Sequence, residues 1–142
     1  MKVNEQDHRA LASWAADCAE RVIDFFDQSN PTDKRPRLAI ETARAWARGE
    51  ITAGQARSAS VAAHAAGRET NEESARAAAR SAGHAVATAH MFEHARRAAD
   101  YALKAISSAD GDTNKADRER NWQVQHLPLH LQQIVFPEVK SP

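Results

Sequence analysis

Residues 83–95 read Gly-His-Ala-Val-Ala-Thr-Ala-His-Met-Phe-Glu-His-Ala, which sets His84, His90 and His94 in a run that is otherwise mostly alanine. Alanine has the strongest intrinsic helix propensity of any residue, so this stretch predicts helix. It also offers almost no side chain to hold neighbouring helices apart. The imidazole rings must therefore lie between close-packed helices, on a surface patch or around a ligand, and the sequence leaves these three alternatives open.

The alanine bias extends along the whole chain. Its 142 residues include 31 alanines, whereas Leu, Ile, Val and Phe together number 22. So few large apolar residues indicate disorder only when net charge is high, and here 19 basic residues balance 19 acidic ones. The composition therefore predicts an all-α fold, a single compact bundle of about six to seven helices with alanine-rich close packing.

The length suits one helical domain over residues 1–142, with a core from about residue 8 to residue 136 and a loose tail over 137–142. No apolar run is long enough to cross a bilayer, and residues 1–5 lack the apolar segment of a secretory signal. We therefore expect a cytoplasmic protein without a membrane partner. Cys18 is the only cysteine, which excludes an intramolecular disulfide.

Apolar residues spaced three and four apart predict a first helix that is capped by Asp7 and ends near Gln28. Pro36 fits the first turn of a second helix, since a proline there forfeits no intrahelical hydrogen bond. Two capping patterns follow, at residues 52–55 and 70–73, and each predicts the start of another helix.

The helical pattern from Ser74 to about Ser108 is too long for one comfortable helix, so we expect a break near residues 90–93. A turn at residues 107–114 should be followed by a helix around Trp122, and Pro128 should start a short last helix.

The segment His90-Met91-Phe92-Glu93-His94 matches the H-x-x-E-H pattern of inverted zinc peptidases. On a continuous helix both rings could reach one ion, with His64 or His84 as a third ligand. The alternative is that the histidines are buried polar groups that hydrogen-bond across alanine faces. We favour this alternative and expect no metal and no cofactor. The candidates for buried polar positions are His64, His84, His90, His94, Trp46 and Tyr101.

Charged residues group into two candidate interaction surfaces. The first helix carries acidic residues opposite its apolar stripe, and the next segment is mainly basic without the strong basic excess of a nucleic-acid module. We therefore expect a protein partner and no nucleic acid. The acidic candidates are Asp17, Glu20, Asp24 and Asp27, and the basic candidates are Arg37, Arg44 and Arg48.

Several blocks of the sequence, taken in order, resemble one bacterial family. They read LASWAADCAE at 11–20, RPRLAIETARAW at 35–46, GHAVATAHMFEH at 83–94 and YALKA at 101–105, with RERNWQ at 118–123 and Leu127-Pro128 near the end. The chain resembles the putative immunity proteins, also described as immunity-protein-five-like, from about residue 8 to residue 136.

The resemblance implies an all-helical cytoplasmic protein that binds and neutralises a cognate bacterial toxin by protein–protein occlusion. It implies no enzymatic activity and lends no catalytic residues. Two other functions stay open on the residues alone: a metal-binding protein or zinc-dependent hydrolase that uses the His90 to His94 motif, and a helical bundle that binds a small molecule between Trp46, His64, His84 and Tyr101. A homodimer is also open.

Overall fold

The computed structural model describes residues 3–139. Within this range the chain forms eight α-helices and no β-strand, which confirms the all-α prediction with one helix more than expected. The helices are α1 (Glu5–Glu20), α2 (Ile23–Ser29), α3 (Arg35–Ala47), α4 (Ala53–Arg68), α5 (Glu73–Ala87), α6 (His94–Asp110), α7 (Thr113–Gln125) and α8 (Leu129–Val135). None of the helices in residues 3–139 is long and apolar enough to cross a membrane.

Helix α5 lies at the centre of the bundle. It packs against α4 and α6 on its two sides and also contacts α1, α2 and α3. Eleven of its fifteen residues are buried, and all of these except Val86 are alanine, serine or glycine. Because the distance between packed helices depends on the side chains at the contact, these small residues allow short interhelical distances.

Two hydrogen bonds from serine hydroxyls to backbone carbonyls confirm this close approach. Ser81 Oγ on α5 donates to the carbonyl of Ala98 on α6 at 2.7 Å. Ser60 Oγ on α4 donates to the carbonyl of Gly83 on α5 at 3.0 Å. A serine side chain is short, so it reaches the backbone of a neighbouring helix only where the two helices nearly touch.

The larger apolar side chains lie around this small-residue centre. Phe26, Leu131 and Phe136 are fully buried. Trp14 on α1 packs edge-on against Phe136 with ring centres 5.8 Å apart, and its indole nitrogen donates to the carbonyl of Gln123 on α7 at 2.8 Å. The N-terminal helix is therefore fixed against the C-terminal part of the chain.

The predicted first helix divides into two. The chain turns at Arg21 and Val22, so the prediction of one helix to Gln28 was wrong. Two β-branched residues, Val22 and Ile23, stand at the break and have low helix propensity. In addition, Arg21 forms a 2.5 Å ion pair with Glu119 on α7, a contact that no pattern local to α1 could indicate.

Most predicted helix starts are confirmed. Pro36 stands in the first turn of α3, and Thr52 and Gln55 form the predicted capping box of α4. Asp7 is not the cap of α1: Asn4 is, because its side chain accepts from the Asp7 backbone N–H at 2.8 Å. The capping pattern at residues 70–73 does not form either, because α5 begins at Glu73 and has no side-chain cap.

The predicted break near residues 90–93 is confirmed, and the non-helical linker covers residues 88–93. The turn predicted for 107–114 is much shorter, because α6 continues to Asp110 before Gly111 adopts φ 71°. In the predicted tail, Glu138 forms an ion pair with Arg96, while residues 140–142 lie outside the described range.

The close packing around α5 predicts that added volume there destabilises the fold. Ala82 is fully buried, so Ala82→Leu must displace neighbouring helices, and we expect a loss of about 1–3 kcal/mol in the free energy of unfolding. Urea denaturation followed by circular dichroism measures this. The control is Ala109→Leu at an exposed position of α6, where the change should be within about 0.5 kcal/mol of zero. Equal effects of the two substitutions would contradict the close packing.

Candidate functional site

Three histidines and a tyrosine from three neighbouring helices meet on one side of α5. His64 lies on α4, His84 on α5, and His94 and Tyr101 on α6. The ring centres of His64 and His84 are 4.8 Å apart in an edge-to-face arrangement, and His84 stacks on both His94 and Tyr101 at 5.2 Å. All four side chains are partly buried. We call this group the histidine cluster.

The ring of His84 occupies the space between two turns of α6. His94 and Tyr101 are seven residues apart, which corresponds to about 10.5 Å along a helix. The His84 ring lies half that distance from each, and the ring planes differ by only 22° and 8°. The side chain of His84 therefore fixes the register of α5 against α6.

Gly83 makes room for the ring of His64. A β-carbon at Gly83 would lie only 2.6 Å from Nε2 of His64 and within 3 Å of two of its ring carbons. Real β-carbons essentially never approach that closely, so any other residue at position 83 would push the imidazole away. Glycine is unfavourable inside a helix by about 1 kcal/mol relative to alanine, and here the interhelical contact is the reason for its presence.

A hydrogen bond joins two of the histidines. Nδ1 of His84 lies 3.0 Å from Nδ1 of His94. One nitrogen must carry a proton and the other must accept it, because two N–H groups cannot hydrogen-bond to each other. Full protonation of both rings would therefore break this contact between α5 and α6.

The environment of the cluster disfavours positive charge. Burial, together with the neighbouring His64 and His94, lowers the pKa of His84 to about 3. Burial is also the main cause of the lowered pKa of His64 and of His94, with Arg80 acting on the former and Arg97 on the latter. At neutral pH the three histidines are therefore uncharged.

The H-x-x-E-H motif does not place its two histidines on one helix. His90 lies in the linker, and His94 is the first residue of α6. Nδ1 of His94 bonds to His84, while Nε2 of His90 is buried without a hydrogen-bond partner. In residues 3–139, no three His, Cys, Asp or Glu side chains converge as metal ligands would. The structure brings His64, His84 and His94 together through ring contacts, and His90 stays outside that contact set.

Trp46 lies apart from the other buried polar candidates. Its ring centre is 4.7 Å from that of His8, and the guanidinium of Arg9 lies 4.9 Å above it. His8 in turn bonds to the carbonyl of Thr88 through Nε2, at 2.5 Å. The sequence patterns gave no indication of His8, because it precedes the apolar stripe of α1.

The two charged surfaces predicted from the sequence face each other. Arg44 pairs with Asp17 at 2.7 Å and with Glu20 at 3.0 Å. Arg37 pairs with Asp27 at 2.5 Å, and with Asp24 at a longer 3.7 Å. Arg48 pairs with Glu50 beside it in sequence. These candidates stay predictions as contact residues, and in the free protein their charges are largely compensated within the chain.

Sequence patterns did not single out five basic residues that surround the histidine cluster. They form no ion pair with any carboxylate in the described part of the chain, although most other arginines do. Their spacing could have indicated a shared surface, because residues three or four apart lie on one face of a helix. Arg76 and Arg80 are spaced in this way with His84, and Arg97 and Lys104 with Tyr101. We call the five the basic face: Arg68, Arg76, Arg80, Arg97 and Lys104.

The uncharged histidines predict a loss of stability in mild acid. The folded-state pKa of His84 lies below its ordinary value, so the unfolded chain takes up the proton first as pH falls, and stability that is full above pH ~6.5 is lost below it. After a discount for solvent screening, we expect about 1 kcal/mol from His84 between pH 7 and pH 5. Chemical denaturation at both pH values measures the change.

The matched variants for this measurement are His84→Phe and His126→Gln. Phenylalanine can still stack on Tyr101 but cannot titrate, so the stability of this variant should depend less on pH. His126 is exposed, and its replacement should leave the pH dependence of the wild type intact. Identical pH dependence of His84→Phe and wild type would contradict the assignment.

The contact between Gly83 and His64 predicts a change of sign in a double-mutant cycle. In the wild-type background, Gly83→Ala should destabilise by about 1–2 kcal/mol because the new β-carbon collides with the imidazole. In a His64→Ala background, the same change should stabilise by up to about 1 kcal/mol, since only the gain in helix propensity remains. Urea denaturation of the four proteins gives the coupling energy. Equal effects of Gly83→Ala in both backgrounds would show that the ring does not occupy this position.

Comparison with known proteins relates the chain to a protein family. No curated protein and no solved structure is significantly similar to the chain. A family model described as "Imm-5 like putative immunity protein" matches residues 1–130, which include α1 to α7, the histidine cluster and the basic face. This match spans most of the 142 residues and agrees with the resemblance carried by the sequence blocks. The chain therefore belongs to the Imm-5 like putative immunity protein family.

Proposed function

We propose that the protein binds a cognate bacterial toxin and neutralises it by covering a surface that the toxin needs. The observation that carries this proposal is the family match over residues 1–130. An immunity protein implies a toxin as partner, and occlusion by a folded surface requires no chemistry from the immunity protein itself.

The contacts of the clustered histidines support a binding function and not a catalytic one. Nδ1 of His84 and Nδ1 of His94 bond to each other, and all three clustered histidines contact neighbouring rings, so these groups are used in packing within the bundle. A general base needs a pKa near the working pH, whereas the pKa of His84 is lowered to about 3. We accordingly propose that the protein is not an enzyme and uses no cofactor.

The rigid arrangement of the helices also fits a binding protein. Side chains that are held in place before contact lose little conformational freedom when a partner binds. Ion pairs between α1 or α2 and α3, such as Arg44 with Asp17 and Arg37 with Asp27, hold one such surface in a fixed arrangement. A cytoplasmic location, where the protein would meet a toxin that has entered or been made in the cell, is part of this proposal.

Co-expression tests the function directly. Toxin genes adjacent to the gene for this chain are expressed from an inducible promoter in a host that lacks the chain, and each should arrest growth. Expression of the chain should restore growth against its cognate toxin and against no unrelated one. The purified pair should form a complex that elutes together in size-exclusion chromatography.

The control for this experiment is the Ala82→Leu variant, whose fold is expected to be destabilised while its surface residues are unchanged. Rescue should weaken in proportion to the amount of folded protein that remains in the cell. If the folded wild type rescues growth from none of the adjacent toxins, the proposed function is wrong.

A further inference from the structure

Basic and aromatic side chains lie on the outer side of α4, α5 and α6. On α5, the residues that are not buried after the first position are Arg76, Arg80 and His84, at intervals of four residues. On α6, His94, Arg97, Tyr101 and Lys104 follow each other at intervals of three and four residues. On α4, His64 and Arg68 are likewise four residues apart. Such intervals place residues on one face of a helix.

Contacts between these residues show that the three faces form one surface. The ring of His84 links α5 to His64 on one side and to Tyr101 on the other. The guanidinium of Arg80 lies 5.9 Å from the Tyr101 ring centre, and the ammonium of Lys104 lies 6.0 Å from it. The basic face is therefore continuous across three helices, with the histidine cluster at its centre.

No member of the basic face forms an ion pair within the described residues. The acidic groups around it include Glu69, which pairs with Arg35 and also lies near Arg68, Glu73, which lines a small cavity with Arg76 and Arg80, and Glu93, which acts on His94. The full chain has a formal net charge of zero, so the rest of the molecule carries a matching excess of negative charge. A neutral composition thus conceals an uneven distribution of charge.

One member of the basic face has an unused donor. Arg76 donates from Nη2 to the carbonyl of Thr70 at 3.1 Å, but its Nε is buried and has no hydrogen-bond partner in the described chain. A buried donor without an acceptor costs free energy. Arg76 also lines a cavity of about 30 Å³ together with Glu73, Arg80, Tyr101 and Lys104.

We infer that the basic face is the surface on which the chain captures its toxin, and that the toxin presents a patch rich in aspartate and glutamate to it. This inference rests on the proposed function and adds the docking surface and the chemistry of the partner. Carboxylates match guanidinium groups in geometry as well as in charge. Opposite potentials also accelerate encounter, which suits a protein that must reach a toxin before the toxin reaches its target.

A protein partner fits this surface better than nucleic acid does. Arginine and tyrosine are among the residues that contribute most often to binding energy at protein interfaces, and the uncharged histidine rings add apolar contact area between the cations. A nucleic-acid module normally shows a strong overall basic excess, whereas this chain has a sequence pI near 7.1.

Charge reversal on the basic face tests the inference. The probe is the toxin encoded beside this chain, carrying a substitution that abolishes its toxicity. The double variant Arg80→Glu/Arg97→Glu should bind it about 100-fold more weakly than wild type, mainly through slower association at low salt. The matched control is Lys34→Glu/Arg118→Glu, which reverses two exposed charges that also lack ion pairs but lie outside the basic face. Its affinity should stay within about threefold of wild type.

The outcomes separate this inference from the proposed function. If wild type and both double variants melt at similar temperatures and bind the toxin equally well, the proposed function stands and the basic face is not the docking surface. If wild type binds no adjacent toxin, the proposed function fails and the inference fails with it. Fluorescence anisotropy with a duplex DNA and an RNA oligonucleotide at 0.15 M NaCl adds a third arm. Loss of oligonucleotide binding in Arg80→Glu/Arg97→Glu, with toxin binding unchanged, would assign the face to nucleic acid and overturn the inference.

Discussion

The short distance between α5 and its two neighbours is the constraint on which the rest of the structure depends. It exists because α5 buries alanine, serine and glycine where most helices bury leucine or isoleucine. At such distances a serine reaches the backbone of the next helix, and an imidazole can lie directly on a glycine. The histidine cluster is thus a product of helix packing, since its rings fill space that the small residues leave at the outer side of α5.

This packing also explains why so many basic residues remain without partners. On α4 and α5 the buried positions are occupied by small residues, so long side chains can only project outward. On α1 and α2, Asp17 and Asp27 are already paired with Arg44 and Arg37. Charge is therefore distributed unevenly: Arg37 and Arg44 are paired within the chain, whereas the cations of the basic face form no ion pair in the described residues.

Much of the fold could be predicted from the sequence. Alanine content, the Thr52 to Gln55 capping pattern and the length of the helical pattern after Ser74 gave the fold class, the start of α4 and the break before α6. These are local signals, and they depend on interactions within a few residues. The break at Arg21 could not be predicted in this way, because the carboxylate that holds it is 98 residues away in sequence.

The site was predictable only in part for the same reason. The candidates for buried polar positions included His64, His84, His94 and Tyr101, and the fold brings these four together. They also included Trp46 and His90, which the fold places outside the cluster, because a helical pattern shows which face of a helix is buried and not which neighbour covers it. The helical pattern also could not show that the predicted acidic and basic surfaces pair with each other.

The bond from Trp14 to Gln123 and the pair of Arg21 with Glu119 have a consequence for folding. Helix α1 also packs against α3, α5 and α6, but its contacts are complete only when α7 is in place. Loss of α7 would leave the buried indole nitrogen of Trp14 without an acceptor, so α1 and α7 depend on each other for stability.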